Sequence, residues 1–165
     1  MKIYCPCICC CCNSPLYQLE TSKTGILQSF GRFQKVIKPG LHIINPWTET
    51  ITEVDMKTVV LNLAPQTLIT KDNVSLRIDT VVYYRTTNPY KLLYKLGNNF
   101  AEIRNFISEM SYSAMRTVVG ETIFQDLLED RKNVAESIEG YVKQSVGTWG
   151  LFIENIFIKD LILSE

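Results

Sequence analysis

The clearest pattern of apolar and polar positions lies within residues 68–85. Apolar side chains alternate with polar ones from Val74 to Tyr84. Because successive side chains of a strand point to opposite faces, this alternation predicts a long strand with one buried face. The preceding residues 70–73 favour a turn, since Asp and Asn bond their own backbone and Asn tolerates positive φ. Residues 66–69 are therefore predicted to fold back as the first arm of a hairpin.

Short β-prone runs fill the rest of the chain from residue 16 to residue 87. The candidate strands are residues 25–30, 41–44, 50–55 and 58–63. Gly31-Arg32 favours a turn or bulge after the first of them. Pro39 and Gly40 preset another turn, because proline fixes φ at the first central position and glycine supplies positive φ at the second. Successive short strands joined by turns predict an antiparallel or mixed sheet.

Helical periodicity dominates residues 88–165. Asn88 followed by Pro89 predicts an N-cap and a first helical turn, and the apolar stripe that follows ends at Gly97. A second helix is predicted from Asn99, with apolar positions three and four apart as far as Gly120. This half of the chain is therefore predicted to supply helices that cover a sheet.

The end of the chain combines another helical run with a strand. A capping box at residues 122–125 predicts a helical run to Gly147, and the charged segment 129–132 is either a solvated turn or a junction between two helices. Residues 151–163 are rich in Ile, Phe and Leu and predict a strand that is buried on both faces over part of its length, with Phe152 and Phe157 among the buried residues. Because this strand must return to a sheet, the predicted fold class is α+β.

Charge is balanced over the whole chain but not along it. The totals are 17 basic and 17 acidic residues. Residues 1–40 carry five basic residues and one acidic residue, a net charge of +4, whereas residues 98–165 carry six and eleven, a net charge of −5. The basic end either faces an anionic surface or is an ordinary solvated face.

All the cysteines lie in one short segment near the N-terminus. They are Cys5, Cys7, Cys9, Cys10, Cys11 and Cys12. A disulfide framework would join distant parts of the chain, so this clustering argues against one. Four explanations stay open: a secretory signal, a soft-metal cluster, a reactive thiol and multiple S-acylation.

The cysteine segment fits S-acylation best among these explanations. Its apolar run is short and interrupted by Pro6, unlike a secretory signal. A structural zinc site needs separated ligand pairs, and the only histidine, His42, is too remote in sequence to activate a thiol. Two or more acyl chains give stable membrane attachment. No apolar run reaches the roughly 18 residues of a membrane-spanning helix, so no such helix is expected.

Residues 45–47 interrupt a predicted strand and place an aromatic ring in a loop. Trp47 either caps the core or lies at a lipid headgroup layer, where an indole with one N–H donor is favoured. Pro46 and Trp47 are therefore the candidate membrane-interface residues.

The sequence contains no recognisable catalytic or cofactor-binding pattern. It has no glycine-rich phosphate loop, no nucleophile elbow and no metal set that includes histidine, and His42 is interpreted as structural. A neutral net charge without clustered basic and aromatic residues argues against nucleic acid as a partner. We therefore predict a protein that is not an enzyme, with no catalytic, cofactor-binding or metal-binding residues.

A series of short motifs runs in order between Gly25 and Asp160. They are Phe30-Gly-Arg-Phe33, Lys38-Pro-Gly-Leu-His42, Ile69-Thr-Lys-Asp-Asn-Val74, Asp79-Thr-Val-Val-Tyr-Tyr-Arg85, Arg116-Thr-Val-Val-Gly-Glu121, Trp149-Gly150 and Ile158-Lys-Asp160. In these motifs the chain resembles the stomatin branch of the band 7, or SPFH, family, which includes stomatin, prohibitin and flotillin. Several ordered motifs over most of the chain make this a specific resemblance.

The resemblance implies a non-catalytic, membrane-associated scaffold without a cofactor. Such a scaffold organises membrane microdomains, modulates membrane proteins such as ion channels and forms oligomers with itself or with band 7 relatives. Its implied partners are membrane lipids, including sterol-rich ones, and its implied location is the cytoplasmic face of a membrane, with the β-rich half against the bilayer. Residues 1–15 are then a cysteine-rich anchoring tail and residues 16–165 the band 7 domain, with a β-rich half at 16–87 and a helical half at 88–165 closed by the final strand.

Two features depart from the stomatin pattern. Stomatins carry an N-terminal hydrophobic hairpin, which acylated cysteines would have to replace here. They also continue past the final strand into a long coiled-coil helix, whereas this sequence ends at Glu165. The alternative functions are a soluble interaction or thiol–metal-binding module and a short regulatory form that binds full-length relatives.

Overall fold

The chain folds as two compact units, which divide between Lys57 and Thr58. The computed structural model describes residues 16–45 and 47–163 of the 165-residue chain. The predicted junction between a β-rich and a helical half, at residues 87 and 88, falls inside the second unit, where the last of eight consecutive strands gives way to the first helix. Strands before this junction, and helices followed by one strand after it, confirm the α+β class.

The first unit consists of five antiparallel strands. They are β1 (Leu16–Leu19), β2 (Lys23–Ser29), β3 (Arg32–Ile37), β4 (Gly40–Ile43) and β5 (Glu49–Asp55). Strand β1 pairs with β4, while β2 lies between β3 and β5 in a three-stranded sheet. The buried apolar side chains of this unit are Leu19, Ile26, Leu27, Ile37 and Val54.

A two-residue turn at Phe30 and Gly31 joins β2 to β3. Both residues have positive φ, 47° and 77°, as a type I′ hairpin turn requires. Glycine adopts this conformation readily, whereas a bulky residue such as phenylalanine seldom does. The turn lies one residue before the predicted Gly31-Arg32 pair, and Arg32 is the first residue of β3.

The second unit is a four-stranded sheet with helices on one face. Its elements are β6 (Val59–Asn62), β7 (Gln66–Ile69), β8 (Ser75–Thr86), α1 (Pro89–Lys95), α2 (Phe100–Glu121), α3 (Phe124–Glu129), α4 (Arg131–Gly147) and β9 (Leu151–Leu163). The long strand predicted from alternation is β8, and every other strand of the unit pairs with it antiparallel. Strands β6 and β7 share one edge of β8, and β9 runs along the other.

The core of the second unit lies between the sheet and helices α2 and α4. The predicted apolar face of β8 is buried, and on it the Thr80 hydroxyl donates to Sδ of Met115 of α2 at 3.3 Å. The most fully buried apolar side chains of these two helices are Ile107, Met115 and Val119 of α2 and Ile138, Val142 and Val146 of α4. The apolar stripes of these helices are core packing, as their spacing predicts.

The predicted starts of α1 and α2 are confirmed. The side chain of Asn88 accepts a hydrogen bond from the backbone N–H of Lys91, and that of Asn99 accepts one from Ala101. Gly97 has φ of 80° just after α1, as a helix-terminating glycine does. The charged segment 129–132 is a junction, because α3 ends and α4 begins within it.

The predicted capping box at residues 122–125 is wrong. The hydroxyl of Thr122 donates back to the carbonyl oxygen of Val118 at 2.7 Å, and the N-cap of α3 is Ile123, which makes no side-chain cap. The start of α3 is capped instead by Asp72, whose carboxylate accepts a hydrogen bond of 3.2 Å from the backbone N–H of Phe124. Asp72 therefore has a long-range partner in addition to its place in the turn predicted at residues 70–73.

The closing strand β9 is present, but the predicted burial of Phe152 and Phe157 is wrong. Their side chains are 40% and 54% exposed. Near Tyr83 the β8–β9 register shifts and leaves Glu154 as an extra residue of β9. This shift puts Ile153 and Ile156, three residues apart, on the buried face and the two phenylalanines on the other.

Candidate functional site

Two exposed aromatic side chains lie at one end of the three-stranded sheet in the first unit. Phe30 is 81% exposed and Trp47 is 85% exposed. Strands β2 and β5 are paired as far as Ser29 and Glu49, and the backbone N–H of Phe30 then donates to the carbonyl oxygen of Thr48 at 3.0 Å. The turn that carries Phe30 therefore lies beside the loop that carries Trp47. We call these two side chains the aromatic site.

The Trp47 loop is closed by its own polar groups. The side-chain oxygen of Asn45 accepts from the backbone N–H of Trp47 at 3.2 Å, and its carbonyl oxygen accepts from Thr48 at 3.3 Å and Glu49 at 2.9 Å. The carboxylate of Glu49 in turn accepts from the backbone N–H of Asn45 at 2.9 Å. These bonds fix the loop while its indole stays in solvent, so Trp47 does not cap the core. Pro46, its predicted companion, lies outside the described residues.

Further apolar side chains are exposed near the aromatic site. Phe33 and Val36 of β3 and Leu41 and Ile43 of β4 are all more than one third exposed. Ile43 is the last residue of β4, just before the Trp47 loop. Exposed apolar side chains mark a binding surface where they adjoin one another, and these four residues are candidates for such a surface.

A polar cluster joins three strands elsewhere in the first unit. The hydroxyl of Tyr17 (β1) donates to the carboxylate of Glu53 (β5), and Nζ of Lys23 (β2) donates to the same carboxylate at 2.9 Å. Lys23 also forms an ion pair with Glu20 at 3.3 Å. The cluster therefore ties β1 to the three-stranded sheet.

The cluster shifts the protonation of its members. Burial first, and then the hydrogen bond to Glu53, raise the pKa of Tyr17 to about 12. The hydrogen bonds from Tyr17 and Lys23 lower the pKa of Glu53, because both stabilise the ionised carboxylate. A carboxylate held in this way is a structural acceptor, and it is not available as a proton donor at neutral pH.

The remaining sequence-predicted residues are the six cysteines and His42. The candidate acylation sites Cys5, Cys7, Cys9, Cys10, Cys11 and Cys12 all lie outside the described residues. Nε2 of His42 lies 2.8 Å from the carbonyl oxygen of Lys38, in agreement with a structural role. Within residues 16–45 and 47–163, no three His, Cys, Asp or Glu side chains form a group that could hold a metal ion.

The described residues also include no helix that combines the length and the apolarity needed to cross a bilayer.

Sequence reasoning found Trp47 but missed Phe30. The available signal was Phe30-Gly31 between two β-prone runs, because a two-residue hairpin turn favours glycine and places its first residue at positive φ in solvent. Reading residues 25–30 as strand concealed this turn.

Comparisons with known proteins cover nearly all of the described chain. The family described as SPFH domain / Band 7 family matches residues 17–165. A band 7 family protein of Acanthamoeba polyphaga mimivirus is 36% identical over 149 residues, which are 90% of this chain and 48% of that protein. A stomatin homolog of Pyrococcus horikoshii is 30% identical over 142 residues, which are 84% of this chain and 51% of that protein. The chain thus spans about half the length of these relatives.

Proposed function

The chain belongs to the SPFH domain / Band 7 family, and we propose that it acts as a non-catalytic scaffold of the stomatin type on a membrane surface. In this role it gathers membrane lipids, including sterol-rich ones, into microdomains and modulates membrane proteins such as ion channels. It forms homo-oligomers or hetero-oligomers with band 7 relatives. The family match and the similarity to a stomatin homolog support this assignment.

One observation carries the membrane contact, namely that the turn of Phe30 lies beside the loop of Trp47 and that both rings are in solvent. Aromatic rings are favoured at the boundary between lipid chains and water, so a bilayer gives both rings an environment that water does not. Phe30 also keeps a positive φ, which costs on the order of 1–3 kcal/mol for a residue with a bulky side chain. A strained residue that is 81% exposed supports a role in binding.

The second part of the attachment is covalent. We assign thioester-linked acyl chains to Cys5, Cys7, Cys9, Cys10, Cys11 and Cys12. A single acyl chain gives only marginal, reversible binding, whereas two or more give stable attachment. These cysteines end a few residues before β1 in sequence, so the acyl chains and the aromatic site would hold the same unit on the cytoplasmic face of the membrane.

Vesicle flotation tests the aromatic site without acylation. The full chain is produced in bacteria and mixed with vesicles of phosphatidylcholine. We expect wild type to float with the vesicles and a Phe30→Ser, Trp47→Ser variant to bind at least about tenfold more weakly, since partial burial of each ring contributes about 1 kcal/mol or more.

The control removes two aromatic rings from the second unit, which are exposed but less so than Phe30 and Trp47. In Phe100→Ser, Phe157→Ser the substituted residues are 57% and 54% exposed in wild type. We expect this variant to float like wild type. Equal losses in the two variants, or no loss in either, would refute the aromatic site.

Metabolic labelling with a fatty-acid analogue tests the anchor in cells. We expect wild type to carry the label and to sediment with membranes, and a variant with all six cysteines changed to serine to be unlabelled. Unlabelled wild type in the soluble fraction would contradict the anchor. A stoichiometric, chelator-sensitive metal in native mass spectrometry of the reduced protein would favour the thiol–metal module instead.

A further inference from the structure

In the first unit, the described acidic side chains have hydrogen-bond or ion-pair partners, whereas several basic side chains form no ion pair within the described part of the chain. Each of its described carboxylates has a partner: Glu20 with Lys23, Glu53 with Tyr17 and Lys23, Glu49 with the backbone N–H of Asn45, and Asp55 with that of Lys57. In contrast, the side chains of Arg32, Lys35 and Lys38 form no ion pair with any residue in the described ranges, and all three are exposed. Positive charge is therefore left uncompensated along β3 and the residue after it.

A β-bulge arranges two of these cations. Lys35 lies opposite Leu27 and Phe33 lies opposite Gln28, so Gln34 is an extra residue in β3. In a regular strand, Arg32 and Lys35 would point to opposite faces because they are three residues apart. The extra residue places both on one face of the sheet, and by the same shift Phe33 and Val36 share the other face.

The cations adjoin the aromatic site. Arg32 follows the Phe30-Gly31 turn directly. Lys35 lies beyond the bulge, further along β3 and on the same face as Arg32. At a bilayer surface, aromatic rings lie near the base of the headgroups, while long basic side chains extend to the phosphate level. Along the chain, the aromatic Phe30 in the turn comes first and the basic residues of β3 follow, which matches this order from the base of the headgroups to the phosphate level.

We propose that Arg32, Lys35 and Lys38 bind the headgroups of anionic phospholipids, an inference that rests on the proposed membrane contact of the aromatic site. The occupant is a bilayer surface that carries negative headgroups. Each basic residue near such a surface strengthens binding by a factor of about five, so three together give about a hundredfold preference over a neutral bilayer. The preference falls as salt is added, because exposed charges are screened.

A purely structural explanation of these cations makes a different prediction. Strand β3 has a partner on one side only among the described strands, and charged side chains on such edges discourage pairing with a second molecule. If this were their role, neutralising them would increase self-association and leave the lipid preference unchanged.

The test compares two kinds of vesicle. The unacylated full chain is titrated by flotation with vesicles of phosphatidylcholine alone and with vesicles in which about a third of the lipid is phosphatidylserine. For wild type we expect a preference of about a hundredfold for the anionic vesicles, reduced at high salt. Arg32→Gln, Lys35→Gln, Lys38→Gln should lose this preference and bind neutral vesicles like wild type.

A control variant with the same change in net charge separates the effect of these three positions from the effect of net charge. Lys71→Gln, Lys91→Gln, Lys159→Gln removes three exposed cations from the second unit, and it should keep the preference. Equal loss in both triple variants would overturn the proposal, as would self-association of the first variant with its preference intact. Equal binding of wild type to both vesicles would overturn the headgroup preference alone. Failure to bind either vesicle would overturn the membrane contact itself.

Discussion

The carboxylate of Asp72, in the β7–β8 turn, accepts a hydrogen bond of 3.2 Å from the backbone N–H of Phe124, at the start of α3. The neighbouring Lys71 strengthens this connection, since its backbone N–H donates to the carbonyl oxygen of Thr122 at 3.2 Å. A turn residue thus caps a helix that begins 52 residues later.

Asp72→Ala should destabilise the second unit by about 1 kcal/mol, as loss of a side-chain helix cap does. Asp72→Asn keeps an acceptor oxygen and should lose much less. Urea unfolding followed by circular dichroism measures both. If the two variants lost equal stability, the charge of Asp72 rather than its hydrogen bond would be responsible.

Gly150 is the glycine of this chain that tolerates substitution least. It has φ of 83°, and a Cβ atom there would lie 2.6 Å from the carbonyl oxygen of Asn88. The carbonyl oxygen of Gly150 also accepts from the backbone N–H groups of Thr87 and Asn88, both at 2.9 Å. Gly150→Ala should therefore destabilise the second unit by about 2 kcal/mol or more in chemical denaturation.

Gly140 provides the matched control. It lies inside α4, and a Cβ atom there would meet nothing within 4 Å. Gly140→Ala should stabilise the protein by up to about 1 kcal/mol, because alanine is the better helix former. Equal effects of the two alanine substitutions would contradict the packing around Gly150.

Tyr17 makes the stability of the first unit depend on alkaline pH. Its pKa is raised from 10.0 to about 12, so the folded state binds this proton more tightly than the unfolded state. The resulting stability is fully present below pH 10 and is lost as pH rises towards about 12. Tyr17→Phe should therefore be less stable than wild type at neutral pH, with the difference shrinking across this window. Unfolding at several pH values measures the change, and Tyr94→Phe, an exposed tyrosine of α1, is the control.

Glu53 gives the opposite dependence on pH. Its pKa is lowered by the hydrogen bonds from Tyr17 and Lys23. The folded state therefore binds this proton less tightly, and the contribution of Glu53 is present above its ordinary pKa of 4.5 and lost as pH falls below it. Glu53→Gln should flatten the acid limb of the stability profile. An unchanged acid limb would mean that the cluster does not hold in solution.

Phe30 is expected to lower the stability of the protein while strengthening its binding to vesicles. Phe30→Asn should raise the unfolding free energy by about 1 kcal/mol, because Asn-Gly is a preferred type I′ turn and the bulky residue at positive φ is removed. The same variant should bind phosphatidylcholine vesicles more weakly. Phe33→Asn, also an exposed aromatic but at negative φ, should not stabilise the protein. A less stable Phe30→Asn variant would show that the turn is not strained.

Local signals were sufficient for much of the fold. The alternation in β8 and the caps at Asn88 and Asn99 depend on neighbours within four residues, so the sequence alone predicts them. The cap of α3 could not be predicted in this way, because its acceptor, Asp72, belongs to a distant hairpin. The exposure of Phe157 was missed for a similar reason, since periodicity does not indicate where a bulge shifts the register of β9.

The candidate site was predictable only in part. Trp47 stood out because residues 45–47 interrupt a predicted strand and place an indole in a loop, and the structure shows that it is exposed. The proximity of the Trp47 loop to the Phe30 turn depends on the β2–β5 ladder, and the shared face of Arg32 and Lys35 depends on the bulge at Gln34. Both relationships arise from strand pairing, which a single sequence does not encode at any one position.

The pairing of β8 with β9 also sets an order of events during synthesis on the ribosome. Every strand partner of the first unit has been made once Asp55 has been translated, whereas β8 lacks one of its neighbours until residues 151–163 follow. Chains grow at about 5–20 residues per second, so the second unit stays incomplete for several seconds after the first has all its strands. The aromatic site of the nascent chain can therefore contact a bilayer before the second unit has folded.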